Sequence, residues 1–408
     1  MSERLVIVGM GMAAARFVDE LTGRTLGRYS ICVIGAEPRR AYNRVLLSSL
    51  LAGEVEEKDI ELKPSAWWRE RGVTTITGRK VERIDREASR VLLDDGSSLA
   101  YDRLVLATGS DAIRLPLPGA DLPGVLTFRD LADIESIRAG MKIGARAVVI
   151  GGGLLGLEAA YGLAKAGVQT SVVHLMDRLM ERQLDAEAGG LLRDAMNARG
   201  IGVHLHAQTK AILGQGRVEA VELGDGTMIP ADMVIMSVGI RPQCDLARAA
   251  GLDVGRGIVV DDAMTTSDPQ IYALGECAEH RGVAYGLVEP AYEQARVLAG
   301  RLAGAAALYA GSVTATNLKV YGIAVFSAGD FSGGPHTQSI LLRDPGLKSY
   351  RKLVLAREGG ATRLIGCVLY GETQDGLWYF DLIKSGAPVD SFRDTLAFGR
   401  MLSEKQAA

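Results

Sequence analysis

Leu5-Val6-Ile7-Val8-Gly9-Met10-Gly11-Met12-Ala13-Ala14 stands near the start of the chain, and Arg146-Ala147-Val148-Val149-Ile150-Gly151-Gly152-Gly153-Leu154-Leu155-Gly156 restates the same design further along. Each is a short apolar run, as a buried parallel strand shows, passing through glycines into a helical pattern: Ala15 to Leu21 in the first, Leu157 to Ala166 in the second. The first reads GxGxxA and the second GxGxxG. The first glycine permits the tight turn, the second lets backbone approach a pyrophosphate, and the small last residue lets helix and strand pack closely. The helix N-terminus then faces the anion. A second strand follows at the required interval in both: Ser30 to Ile34, ending at Gly35-Ala36-Glu37, and Gln169 to Val173, ending at His174. A single turn of this kind is weak evidence. Two of them, each between a strand and a helix, outweigh the reading in which glycine-rich turns hold no nucleotide.

Composition narrows the class. With 408 residues, 48% of them apolar, the chain exceeds one hydrophobic core and is expected to form two or three domains. Its 46 basic and 49 acidic residues are well mixed, net −3, so no basic footprint for a nucleic acid exists. Cys32, Cys244, Cys277 and Cys367 are scattered, without CxxC or Cys/His ligand spacing, so neither a disulfide framework nor a metal site is expected. The histidines form no ligand cluster; His204 and His206 share a strand face and read as solvated or packing groups. No secretory apolar segment follows Met1, and no run reaches the ~18 apolar residues of a membrane span. These features lead us to expect a cytoplasmic protein with no nucleic-acid or membrane partner.

Shorter motifs sort the roles. Tyr101-Asp102-Arg103-Leu104-Val105-Leu106-Ala107-Thr108-Gly109 is a turn, a buried strand and a small-residue end that brings backbone close to a ligand. Ile271-Tyr272-Ala273-Leu274-Gly275-Glu276 has the same form, with an acid placed to accept hydrogen bonds from polyol hydroxyls. Asp232 to Gly239 is a third such strand. Glu37 is the candidate ribose acid of the first fingerprint. At the matching place in the second, His174 is neither the acid that favours NADH nor an arginine that favours the 2′-phosphate of NADPH, and Asp177, Arg178 and Arg182 follow closely. We expect NADH, and expect His174→Glu to strengthen that preference.

Together these pieces resemble the two-dinucleotide FAD/NAD(P)-dependent reductases of the glutathione-reductase-like, pyridine nucleotide-disulfide oxidoreductase superfamily, over essentially the whole chain. Arg40-Ala41-Tyr42-Asn43-Arg44-Val45-Leu46-Leu47-Ser48 is similar to the flavin loop of the rubredoxin and ferredoxin reductase branch. His174-Leu175-Met176, Leu179 to Asp185, Gly275 to His280 and Leu377-Trp378-Tyr379 resemble most the FAD/NAD part of the assimilatory NAD(P)H nitrite reductase large subunit.

The resemblance implies an α/β fold: two Rossmann-like, glutathione-reductase-type domains plus a small α+β C-terminal domain. The flavin domain is expected at 1–115 and 251–312, the nicotinamide domain at 116–250, and the α+β interface domain at 313–408. Within the last, Leu318 to Ser327, Ser339 to Leu342, Lys352 to Ala356 and Leu364 to Tyr370 read as strands and Gln374 to Ser385 as a helix.

For FAD the resemblance implies Gly9, Gly11, Met12, Ala13, Ala14, Glu37, Arg44, Ser48, Val81, Ala107, Thr108, Gly109, Arg129, Gly275, Glu276 and Val288. For NADH, with NADPH as the alternative, it implies Gly151, Gly152, Gly153, Leu154, Leu155, Gly156, Glu158, His174, Arg178, Arg182, Val238 and Gly239. No covalent nucleophile is expected. Many relatives carry a flavin-loop lysine paired with a glutamate on the nicotinamide-domain helix; here Ser49 stands at the lysine position while Glu158 is kept, so Glu158 is the candidate for tuning the flavin site. Ser48 and Ser49 also stand where peroxidase-like relatives carry a cysteine. Cys277 accordingly reads as a packing residue.

The nitrite reductase subunit continues into an iron–sulfur segment and a sirohaem domain that this sequence does not contain. The implied activity is therefore electron transfer from NAD(P)H through FAD to a separate protein, the catalytic subunit of an assimilatory nitrate or nitrite reductase. The alternatives are a rubredoxin or ferredoxin reductase serving an oxygenase, and a redox-regulated flavoprotein binding module with little turnover.

Overall fold

The computed structural model describes residues 2–25, 27–320 and 322–407. The chain divides into two compact units: Met1–Leu50, Val55–Ala112 and Ile240–Ser312 form one, and Leu51–Glu54, Ile113–Gly239 and Val313–Ala408 form the other.

The first unit is built on a five-stranded sheet in the order Ile271–Ala273, Arg103–Leu106, Glu3–Val8, Tyr29–Gly35, Thr74–Thr77. Every pairing is parallel. Parallel strands are covered on both faces, which explains why Leu5, Ile7, Leu104, Val105 and Leu106 are all fully buried in unbroken apolar runs. The helix Met12–Arg24 buries Ala14, Phe17, Val18 and Leu21 at helical spacing and packs on the helix Val288–Leu302. Between the third and fourth strands in sequence lies a three-stranded antiparallel sheet, Val81–Asp85, Arg90–Leu93 and Ser98–Ala100.

The second unit repeats this plan. Its parallel sheet runs Gly202–His204, Gln169–Val173, Arg146–Ile150, Met233–Met236, Val125–Thr127. An antiparallel sheet, Thr209–Leu213, Ala220–Leu223 and Met228–Pro230, again interrupts the parallel strands, here between Gly202–His204 and Met233–Met236. The sheets differ only at one edge. In the first unit the edge strand comes late in sequence, whereas in the second Val125–Thr127 precedes the fingerprint. Neither antiparallel sheet was legible beforehand, because such short half-exposed strands carry little apolar signal.

A five-stranded antiparallel sheet follows in the second unit: Ala315–Val320, Ile323–Gly329, Ala361–Tyr370, Ser349–Glu358, Thr337–Asp344. The expected single strand from Leu318 to Ser327 is corrected. The chain reverses at Gly322, φ +71°, and the two halves pair as a hairpin. Both arms carry apolar residues, which hid the turn. The helix Gly376–Ser385 lies on this sheet so closely that a Cβ on Gly376 would sit 2.7 Å from the Phe326 ring. It ends at Gly386 in the left-handed region, as helix C-termini favour. Arg351 is buried here and donates to the Tyr379 hydroxyl at 3.0 Å and the Ala397 carbonyl at 2.7 Å, so its charge is solvated by the fold.

Candidate functional site

Each glycine-rich turn is forced by its surroundings. Gly9 has φ +108°, and a Cβ there would lie 2.0 Å from the Ala107 carbonyl oxygen. Gly151 has φ +120°, and its Cβ would lie 2.1 Å from the Ser237 oxygen. No side chain fits at either place. Gly11 and Gly153, the N-caps of Met12–Arg24 and Leu154–Lys165, face the opposite situation: a Cβ would meet nothing within 4 Å. Neither helix has a side-chain cap, so its first-turn N–H groups point into that open space. Anions are stabilised at such a terminus. Each cradle therefore fits the pyrophosphate of a dinucleotide. Ala14 is fully buried, and a Cβ on Gly156 would strike the Gly151 oxygen at 2.0 Å, which explains the small residue closing each fingerprint.

Around the first turn the structure assembles the separate motifs. The Ala107 N–H donates to the Val8 oxygen at 2.7 Å and the Leu274 N–H to the Leu106 oxygen at 3.0 Å, bringing Ala107-Thr108-Gly109 and Gly275-Glu276 beside Gly9 to Ala14. Gly275, φ +83°, approaches the Ala13 Cβ, and its N–H is held at 2.8 Å by the fully buried Gln294. Ser110 donates to Glu276 at 2.7 Å, fixing that carboxylate. Glu37 follows the second strand; Tyr42 donates to one of its oxygens at 2.7 Å and Arg44 pairs with the other. Val81 is buried at the start of its strand, Ser48 lies in the short helix Leu47–Leu51, and Val288 begins a helix without a side-chain cap. Gln294 and Ser110 were missed by sequence reasoning. Ser110 directly follows the small-residue strand end, a signal available beforehand, but nothing local marked Gln294.

In the second unit Met12's counterpart Leu154 and its neighbour Leu155 open the helix that also carries Glu158. His174 is buried, with its ring turned onto the glycine-rich turn. Its Nδ1 accepts the Gly152 N–H at 3.0 Å and its Nε2 lies 3.0 Å from a Glu181 oxygen. Because Nδ1 is an acceptor, the proton sits on Nε2 and is donated to Glu181. Arg178 donates to both Asp177 oxygens and to the Leu184 carbonyl, while Arg182 is 86% exposed at the side chain. Val238 and Gly239, φ +120°, follow the strand Met233–Met236. Arg129 also belongs to this unit; its backbone N–H donates at 2.7 Å to Asp133, whose carboxyl burial pushes up.

The cysteines are free thiols. Burial pushes the Cys277 thiol up, and Cys244 is pushed up to about 11, chiefly by burial and further by Cys277, so neither is an activated nucleophile. Among the described residues no group of acids, histidines and cysteines is arranged to hold a metal, and no helix is long and apolar enough to cross a membrane.

Two sheets of matching topology, each with an uncapped glycine-rich helix start, define a two-dinucleotide oxidoreductase fold. The chain belongs to the pyridine nucleotide-disulphide oxidoreductase family, whose model matches residues 3–295, and the rubredoxin NAD+ reductase C-terminal domain matches residues 315–387. It is 45% identical to a nitrite reductase [NAD(P)H] of Bacillus subtilis, over 95% of this chain and 48% of that protein. It is 40% identical to the assimilatory nitrate reductase electron transfer subunit of the same organism, over 91% of this chain and 48% of that one. The chain thus spans about half the length of these relatives. A crystal structure of a ferredoxin reductase from Rhodopseudomonas palustris superimposes with a TM-score of 0.90 at 29% identity, covering 100% of both chains.

Proposed function

We propose that this chain is an NAD(P)H-dependent flavoprotein reductase that takes electrons from NADH and passes them through FAD to a separate metal-containing protein of nitrate or nitrite assimilation. The observation that carries the reading is the pair of uncapped helix starts at Gly11 and Gly153, each opening onto space and each backed by a glycine against a neighbouring strand. When bound, FAD would supply the redox chemistry between a two-electron nicotinamide donor and a one-electron acceptor.

The chain's own residues bind and orient. Gly9 to Ala14 with Glu37, Arg44 and Glu276 would hold FAD, and Gly151 to Gly156 the nicotinamide dinucleotide. Ala107 to Gly109, Ser48, Val81 and Val288 would complete the flavin site. We assign the flavin domain to 1–115 and 251–312, the nicotinamide domain to 116–250 and the α+β interface domain to 313–408. The resemblance to nitrite and nitrate reductase proteins at 45% and 40% identity supports the acceptor class. We place the protein in the cytoplasm, where free thiols persist. A second reading, a ferredoxin or rubredoxin reductase, is favoured by the full-length superposition on a ferredoxin reductase.

The test mixes FAD-loaded protein and NADH with three acceptors: a nitrate reductase catalytic subunit, a sirohaem nitrite reductase and a rubredoxin. Reduction of either of the first two supports the proposal. Efficient reduction of rubredoxin alone replaces it with the second reading, and NADH-reducible flavin that passes electrons to none points to the binding-module alternative.

A further inference from the structure

We propose that Glu181, oriented by His174, is the residue that selects the adenosine ribose of the nicotinamide cofactor, accepting the 2′-hydroxyl of NADH and excluding the 2′-phosphate of NADPH. The inference rests on the second turn being a nicotinamide-dinucleotide site.

The strand pairings align the two units residue for residue. Val8 pairs with Ile34 and Ile150 with Val173, so Gly35 and His174 occupy the same place. In a dinucleotide fold the ribose hydroxyls are received by a carboxylate at the end of this second strand. The first unit provides one in Glu37. The second has Leu175 and Met176 after His174, both exposed and neither carrying a carboxylate. His174 cannot present an acceptor either. Its Nδ1 is taken by Gly152 at 3.0 Å, its Nε2–H is directed to Glu181 at 3.0 Å, and the residue is only 8% exposed.

Asp177, which follows closely, has both oxygens engaged by Arg178, and the carboxylate held against His174 is Glu181, brought back by the loop that follows the strand. That loop is firmly fixed. The Met180 N–H donates to the Gly152 oxygen at 2.9 Å, and Met180 is held at φ +52°, an unfavourable conformation for a residue with a side chain. The glycine-rich turn, the imidazole and the acid thus form one closed circuit of hydrogen bonds. Glu181 is 22% exposed at its side chain, and the oxygen not bonded to His174 lies 4.0 Å from Arg182 Nε. A carboxylate keeps lone pairs free for a ribose hydroxyl while engaged in this way.

The arginines close by do not outweigh it. Arg178 is committed to both oxygens of Asp177 and to the Leu184 carbonyl. Arg182, 86% exposed, would have to be ordered from solvent to meet a phosphate. A fixed, half-buried carboxylate facing a 2′-phosphate incurs like-charge repulsion from the outset.

The test is calorimetric binding of two probes that lack the nicotinamide ring, ADP-ribose and 2′-phospho-ADP-ribose, to the FAD-loaded protein. Wild type should favour ADP-ribose by about tenfold or more, E181Q should reduce that ratio by about tenfold, and E181R should invert it. H174F, which frees Glu181, should shift the ratio in the same direction, with NADH-dependent flavin reduction changed in KM more than in kcat. R182A should leave the ratio within about twofold. An unchanged ratio in E181Q overturns the assignment to Glu181, and loss of discrimination in R182A transfers it to the arginine. If wild type binds neither probe, the dinucleotide reading of the turn falls with it; binding of ADP-ribose without an effect of Glu181 sinks this inference alone.

Discussion

The two glycine-rich turns solve one packing problem with opposite residues. Where strand end meets turn, the first unit sets a large side chain on the turn, Met10, against a small residue on the strand, Gly35; a Cβ on Gly35 would come within 2.7 Å of the Met10 Cβ. The second unit reverses the sizes. Gly152 lies under His174, and its Cβ would strike the imidazole at 2.8 Å. The exchange has a chemical consequence. In the first turn the contact is apolar and Glu37, the acid we propose for the ribose, is fixed elsewhere, by Tyr42 and Arg44. In the second the large residue is an imidazole that bonds the turn on one side and Glu181 on the other, so one side chain both packs the turn and holds the acid. Under the Glu181 proposal, equivalent folds place the deciding acid at different sequence distances.

The largest expected effects come from the glycines the two turns share. Gly9→Ala should yield protein without visible flavin absorbance. Gly151→Ala should keep the flavin and weaken NADH binding by about 100-fold, since left-handed strain and a displaced strand together cost ~3 kcal/mol. Equal flavin loss in both variants would break the assignment of one cofactor to each turn.

The size exchange can be tested next by a double-mutant cycle. Gly152→Ala should destabilise the fold by ~1–3 kcal/mol through overpacking. Combined with His174→Ala, which removes the ring and leaves only the flexible end of Leu179 at 2.7 Å, the loss should be less than additive by ~1 kcal/mol or more. Strict additivity in denaturant midpoints would show that the two positions do not share the contact.

Gln294→Ala probes the support peculiar to the first turn. It leaves the buried Gly275 N–H without its acceptor, at a cost of ~1–3 kcal/mol, and should raise the FAD dissociation constant while leaving ADP-ribose binding unchanged. Parallel weakening of both ligands would mark Gln294 as a general fold residue.

The smallest effect is expected at Cys277. Cys277→Ser should keep NADH-driven ferricyanide reduction within about twofold, because a buried thiol with a raised pKa takes no part in electron transfer. Activity abolished by the serine substitution, in a protein that still holds its flavin, would return a redox role to this cysteine.

Much of the fold was legible because its signals are local. A parallel strand buried on both faces is a continuous apolar run, and a turn that admits no Cβ must be glycine, so Leu5 to Ala14 and Arg146 to Gly156 announce themselves. The hairpin at Gly322 and the two small antiparallel sheets were not announced. The strands of the small sheets are short and partly exposed, the arms of the hairpin both carry apolar residues and so read as one run, and in each case the pairing is made between segments rather than within them. The same division runs through the site. Gly9, Gly151, Glu37 and the small-residue strand ends follow from spacing, whereas Gln294 reaches Gly275 across 19 residues and carries no local mark.

His174 draws that line most sharply. Its position at the end of the second strand follows from counting from the glycines, and that count gives the place where cofactor preference is expected to be decided. Only the tertiary structure turned the ring inward onto Gly152 and brought Glu181 back against it, because a hydrogen bond closed by a returning loop depends on where the loop goes, not on any residue's distance along the chain.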